Sequence, residues 1–213
     1  MPGATGTTTN GALTKSGTGA LTLNGTNTYT GATAVNGGKL FVNGSMASPV
    51  TVASGATLGG TGSLNAGATI NLGGHLAPGV AAGTISFTNG LTLLSGAIID
   101  FQLGSTSDKV FVTGGTFSVA NSVTLNLSNA GSFGTGSYTL FDFSTGGTIT
   151  NSFVATDFAF GTTIPGYSYG LALLGNTLVL TATAVPEPST YAAFAGLAVL
   201  GLAAYRRRRK HAV

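Results

Sequence analysis

The segment LFVNGSMASPVTVASGATLGGTGSLNAGATINLGGHL, residues 40–76, sets an apolar residue at every sixth position: Leu40, Met46, Val52, Leu58, Leu64, Ile70 and Leu76. Between these anchors sit Gly, Ala, Thr and Asn, small residues that let a chain turn sharply and let successive turns of chain stack closely. A six-residue spacing keeps one side-chain orientation per short strand, because side chains alternate faces with a period of two. The pacing predicts a β-solenoid in which each strand bonds to its equivalent one coil away, with the seven anchors pointing inward. A β-sandwich with short hairpins uses the same alternation and turn signals and is the alternative.

Beyond residue 82 the beat fades and longer apolar segments follow: Leu91–Leu94, Ala97–Leu103, Lys109–Val112, Val123–Leu127, Tyr138–Phe143, Tyr167–Leu174 and Thr177–Thr183. Several alternate cleanly, as Val123, Leu125 and Leu127 do against Thr124, Asn126 and Ser128, giving each strand one buried and one polar face. The coils are therefore expected to widen, or the solenoid to end in a capping sheet. Phe133, Tyr138, Phe141, Phe143, Phe153, Phe158 and Phe160 gather here, as aromatics closing an open end would. No helix-period segment precedes residue 189.

The 213 residues are 43% apolar and 6% charged, too apolar for intrinsic disorder and too uncharged for an ordinary cytosolic domain. Cysteine is absent, which removes disulfides, thiolate metal sites and a cysteine nucleophile. Residues 1–185 carry Lys15, Lys39 and Lys109 against Asp100, Asp108, Asp142 and Asp157, a net charge of −1; the bases of the tail carry the overall basicity. A nucleic-acid partner is not expected, since phosphates need a basic face that the body lacks.

Enzymatic β-helices need carboxylates or metal ligands converging on a groove. Asp100 and Asp108 are the nearest pair, but Asp108 reads as a turn residue before a strand, beside a solvated Lys109. Asp142 and Asp157 lie among aromatics, where a lone carboxylate accepts turn amides. His75 has no second histidine near it. No enzyme, cofactor, catalytic residue or metal site is expected. Stacked coils could also align threonines into a ladder that binds ice or crystalline polysaccharide. The runs Thr7-Thr8-Thr9, Thr28-Tyr29-Thr30 and Thr181-Ala182-Thr183 do not recur at one coil spacing, so Thr is read as filling outward strand positions.

The segment LTKSGTGALTLNGTNTYTGATAVNGGKLFVNG, residues 13–44, resembles the autotransporter-associated β-strand repeat. It carries the L-T-K-x-G-x-G opening, the L-T-L strand, the N-T-Y-T-G turn and the closing x-L-x-V-N-G. Residues 55–79 resemble the linking coils of the same secreted passengers. The resemblance implies a right-handed parallel β-helix outside a Gram-negative-type cell.

The tail VPEPSTYAAFAGLAVLGLAAYRRRRK, residues 185–210, runs through three parts without a gap: Pro186-Glu187-Pro188, a charge-free stretch from Ser189 to Tyr205, and Arg206, Arg207, Arg208, Arg209 and Lys210. The middle part predicts a short transmembrane helix, 189–205, crossing the inner membrane, with Tyr191 and Tyr205 at the interfaces. The basic end, 206–213, stays cytoplasmic as a stop and orientation signal, so the body lies outside. This layout resembles the PEP-CTERM sorting signal, which implies exosortase as partner and Pro186, Glu187 and Pro188 as its recognition motif.

The expected organisation is thus an all-β solenoid body, 1–184, with its repeat unit at 13–44, followed by a sorting tail, 185–213. The expected role is a non-enzymatic exported protein of the cell surface or extracellular matrix, structural or adhesive, with exopolysaccharide as a further partner considered. An ice- or polysaccharide-binding β-helix held at the membrane is the alternative. Met1-Pro2-Gly3-Ala4-Thr5-Gly6 offers no basic n-region and no apolar h-region, so the chain is expected to be part of a longer reading frame or to have a misplaced start.

Overall fold

A computed structural model describes residues 11–79, 81–143, 145–149 and 154–186, together with Leu197, Val199, Leu200 and Leu202. The chain winds through successive coils of three strands each. The first coil holds β1 (Leu13–Lys15), β2 (Ala20–Leu23) and β3 (Thr26–Asn27); the second β4 (Thr33–Val35), β5 (Lys39–Val42) and β6 (Ser45–Met46). Next come β7 (Val50–Val52), β8 (Thr57–Gly60) and β9 (Ser63–Leu64), then β10 (Ala68–Ile70), β11 (His75–Pro78) and β12 (Thr84–Phe87). The fifth coil has β13 (Leu91–Leu93), β14 (Ile98–Gly104) and β15 (Lys109–Val112); the sixth β16 (Thr116–Val119), β17 (Val123–Gly131) and β18 (Gly136–Asp142). The path ends in β19 (Thr148–Ile149), a single 3-10 turn, β20 (Phe158–Phe160), and the hairpin β21 (Tyr167–Leu174) and β22 (Thr177–Ala184).

Equivalent strands stack into three sheets. Sheet one runs β1-β4-β7-β10-β13-β16-β19 and sheet two β2-β5-β8-β11-β14-β17-β20. Sheet three runs β3-β6-β9-β12-β15-β18 and is completed by β22 and β21. Pairing is parallel from coil to coil, which excludes the hairpin sandwich. Only the closing β18-β22-β21 strands pair antiparallel, so the widening coils and the capping sheet expected from the sequence both occur.

The six-residue beat has a geometric cause. Thr33 pairs with Val50 and Val50 with Ala68, so a turn of the solenoid takes 17 or 18 residues here, close to three strand-plus-corner units of six. Leu40, Met46, Val52, Leu58, Leu64, Ile70 and Leu76 are all fully buried. The beat stops where the coil lengthens: Ala68 pairs with Leu91, 23 residues on, and Leu91 with Phe117, 26 on. Much of the added length lies at the corner between sheets two and three. That corner is Thr61-Gly62 after β8, but residues 79–83 after β11.

A wider coil encloses more volume, and close packing requires that it be filled. The early coils hold Val35, Leu40, Val42, Met46, Val50 and Val52; the later ones add Phe87, Phe101, Phe117, Phe141 and Phe143, all buried. Phe117 lies 5.4 Å from Phe141 and 4.6 Å from Phe143, ring to ring, and Phe101 meets Phe141 edge-on at 5.7 Å. Of the aromatics expected to close the end, Phe141, Phe143 and Phe158 are buried, Phe133 and Tyr138 half-buried, and Phe160 is 36% exposed. Phe153 lies outside the described residues.

Asp108 differs from its expected part. It does precede β15, but it is 1% exposed, and it pins the widened corner. Its Oδ1 accepts the Gly83 N–H at 2.8 Å and its Oδ2 the Gln102 N–H at 2.7 Å, tying coil four to coil five. Lys109, half-buried, reaches Asp142 at 3.5 Å across the Phe111 ring, so the carboxylate of Asp142 meets a cation, whereas Asp157 accepts the Val154 N–H at 2.8 Å as a turn carboxylate does.

Among the described residues no helix is long and apolar enough to cross a membrane. Leu197, Val199, Leu200 and Leu202 are helical, but most of the expected span 189–205 lies outside the described residues. The fold that the structure supports is the all-β solenoid, and the expected helix 189–205 draws no support from the described residues.

Two outcomes follow from this packing. Leu58→Ala empties a central position and should cost about 3 kcal/mol in denaturant unfolding, whereas Leu174→Ala, at a position 60% exposed, should stay within about 0.5 kcal/mol. The second concerns Asp108, whose carboxyl burial pushes up to about 6, outweighing the pull of the Gln102 and Gly83 amides. A carboxyl with a higher pKa folded than unfolded contributes stability that is complete below about pH 4 and lost as pH rises through about 6. Relative to Asp108→Asn, the wild type should lose roughly 2–3 kcal/mol between pH 4 and pH 7. The variant lacks one acceptor at every pH, so the readout is the change in slope of unfolding free energy against pH.

Candidate functional site

The strand order delivers the chain to its tail at a defined place. Val185 N–H donates to Gly166 O at 2.9 Å, closing the β21-β22 hairpin, and Pro186 follows, exposed. Proline cannot extend the sheet ladder, so the strand ends there. Glu187, Pro188 and Arg206, Arg207, Arg208, Arg209 and Lys210 lie outside the described residues. The structure thus places the start of the motif immediately after the last strand of the body.

At the other end, residues 13–44 form the first coil and the strands stacked on it, and their polar residues form a buried network. Lys15, 7% exposed, spends all three ammonium protons on carbonyls: Ser16 O at 2.9 Å, Gly17 O at 2.8 Å and Gly37 O at 2.8 Å. It thereby stitches the first sheet-one corner to the next. Thr33, also buried, meets Tyr29 Oη at 3.0 Å and Ser48 Oγ at 2.8 Å, and Ser48 donates to Gly31 O at 2.6 Å. Burial raises the Tyr29 pKa above its ordinary value, against the pull of its Thr33 bond. Lys15 of the L-T-K-x-G-x-G opening and Gly31 of the N-T-Y-T-G turn, with Thr33, therefore hold a coil to its neighbour, which is a structural task.

On the outer face of sheet two, His75 Nδ1 lies 2.7 Å from Asp100 Oδ2, and Asn126 Nδ2 donates to Asp100 Oδ1 at 2.8 Å. Asn126 Oδ1 in turn accepts the Thr162 N–H at 2.9 Å. Asp100, the nearest carboxylate to Asp108 in sequence, belongs to this cross-coil chain, in which strand stacking brings together residues 25 or more positions apart. Groups of three or more potential metal-ligating side chains do not occur among the described residues.

A third feature lies on the outer face of sheet one. Thr14, Ala34, Thr51, Thr69, Thr92 and Ser118 are successive in-register partners. Sequence reading missed this file because it looked for a fixed spacing, and coil length varies. Beside it runs a groove of about 300 Å³ bordered by Pro49, Asn89 and Thr116.

Set against known families, residues 13–40 match the model of the passenger-associated-transport-repeat, and residues 184–209 match the PEP-CTERM protein-sorting motif. No curated protein matches the chain. The first match spans β1 to the start of β5, a little more than one coil; the second begins on the last residue of β22. The chain therefore joins a coil of the kind associated with passenger transport to a PEP-CTERM sorting motif that implies processing by exosortase and export to the surface or beyond.

Proposed function

We propose that this chain is a non-enzymatic structural or adhesive component of the cell surface or extracellular matrix, displayed as a rigid solenoid and sorted by exosortase through residues 186–210. The observation that carries this reading is the PEP-CTERM match directly following the last strand. In it, the stretch 189–205 holds the chain in the inner membrane for a time, and Arg206 to Lys210 keep that end cytoplasmic. Pro186 and Pro188 keep the backbone out of helix around Glu187, leaving an extended segment for an enzyme cleft.

The non-catalytic reading draws support from how the body uses its carboxylates. Asp100 serves His75 and Asn126, Asp108 two backbone amides, Asp142 Lys109, and Asp157 the Val154 amide. Each is engaged in holding coils or turns.

The test is to fit the chain with a secretion signal and an epitope tag after Ser105, on an exposed corner, and express it in cells with and without exosortase. Loss of roughly 3 kDa, the mass of a removed C-terminal segment, only in the first strain is the expected result. Identical full-length membrane-bound protein in both strains would replace processing with a permanent anchor.

A further inference from the structure

β21 is the outermost strand of sheet three at the C-terminal end of the solenoid, and among the described residues β22 is its one strand partner. Its bonding direction follows from the hairpin. Val185 N–H donates to Gly166 O, and opposite residues of an antiparallel pair alternate between bonded and non-bonded. Ser168, Gly170, Ala172 and Leu174 therefore bond to β22, in register with Thr183, Thr181, Val179 and Thr177. The amides and carbonyls of Tyr167, Tyr169, Leu171 and Leu173 face away from it.

Proteins blunt such an edge with lysine, proline, a bulge or a very short strand. β21 has none of these: YSYGLALL carries no charge and no proline, and it pairs with β22 without a register shift. It is eight residues long, whereas the other strands at the ends of the sheets, β1, β2, β3, β19 and β20, have two to four. The residues whose backbone faces outward also carry the apolar row. Tyr169 and Leu171 pack on the core, Tyr167 meets Phe133 at 4.8 Å and Tyr169 meets Phe160 at 5.5 Å. That row is only half covered: Leu173 is 39% exposed, Phe160 36%, and Val154, at the start of the 3-10 turn that lies against β21, 51%.

We propose that β21 pairs antiparallel with β21 of a second copy, about a two-fold axis at Gly170, joining two solenoids end to end as a dimer. The strand itself dictates the register. Tyr-Ser-Tyr-Gly-Leu-Ala-Leu, residues 167–173, alternates large and small side chains symmetrically about Gly170. With Gly170 on the axis, Tyr167 of one copy faces Leu173 of the other and Tyr169 faces Leu171, so both apolar rows stay on one face as aromatic–aliphatic pairs. All four outward-bonding residues then form bonded pairs of two hydrogen bonds each. Moving the axis to Tyr169 or Leu171 leaves one of the four without a strand partner. Gly170 meets its copy with no side chain between them, on a side where a Cβ would find nothing within 4 Å. A stable dimer needs on the order of 800 Å² per partner. The strand edge, about 27 Å long, supplies part of that, and the end-to-end arrangement adds the exposed Val154, Phe160 and Leu173 of each copy. The two-fold uses both edges, so assembly stops at two. The tail continues from β22, on the other side of β21, and takes no part in the pairing.

The chain has no cysteine, so introduced cysteines report the register of the purified full-length protein in detergent. Analytical ultracentrifugation of the wild type should give the dimer mass. Under mild oxidation Gly170→Cys should cross-link to itself, since a non-bonded antiparallel pair sets its Cα atoms about 4.5 Å apart, within the reach of a disulfide. Ser168→Cys and Ala172→Cys should each fail alone, like residues being about 14 Å apart, and should cross-link to one another when the two variants are co-expressed. Leu173→Pro removes an amide that β22 does not use and should halve the sedimenting mass while keeping the wild-type circular dichroism. A monomeric wild type, equal cross-linking of all three single variants, or assemblies larger than two would overturn the proposal. So would a folded Leu173→Pro that stays dimeric, the result that association through the apolar tail would give. All are measured on isolated protein, so exosortase processing can fail or succeed independently.

Discussion

In the first three coils no strand exceeds four residues, and those of sheet three have two, so none could hold together by itself. What holds them is the ladder of parallel hydrogen bonds from one coil to the next, in unbroken register from Thr33 to Val50 to Ala68. Backbone polar groups are thereby satisfied along the solenoid axis, while apolar side chains are satisfied inside the coil. A coil with neither neighbour could do neither, which is why stability in such a stack is a sum of nearest-neighbour contacts. Lys15 shows the same logic at a corner, where a buried ammonium is tolerated only because three carbonyls meet it.

Register also constrains how the molecule can widen. Strands must stay aligned, so residues can be added only at corners or strand ends, and the corner between sheets two and three takes much of the addition. Each enlargement opens volume inside and leaves new backbone groups at the corner. Phe87, Phe101 and Phe117 fill the volume; Asp108 takes up the corner amide of Gly83 and the β14 amide of Gln102. The Asp108 carboxylate is thus a cost accepted for a wider coil, and the aromatic core at the C-terminal half and the buried acid at its corner are two sides of one geometric change.

These relations decide what was legible in the sequence. The hexads announced the solenoid because three strands of six make a coil of about 18, and Leu40 to Leu76 lie inside the regular coils. Alternation within a strand, as in Val123 to Leu127, survived the widening because it depends on the pleat alone. Contacts between coils did not survive it. His75 and Asp100, or Thr69 and Thr92, meet only after the coil length is known, and that length shifts from 18 to 23 and then 26. Asp108 was readable as a turn residue but not as buried, because one of the amides it accepts belongs to Gly83 of the preceding coil, 25 residues back. The tail was readable from order alone, since its three parts adjoin in sequence.

The register that stacks the core stacks the exterior too, so an aligned row of outward residues is guaranteed on every sheet and is not itself informative. Sheet two shows this: its rows mix Lys39, Thr57 and His75, as chance would. Sheet one differs in chemistry. From Thr51 to Ser118 the file keeps hydroxyl residues through coil lengths of 18, 23 and 26, which no fixed sequence spacing would align. Alignment follows from the fold, whereas the hydroxyl identity follows from residue choice, since threonine joins the β-branched shape that suits a strand to a polar group that water can solvate.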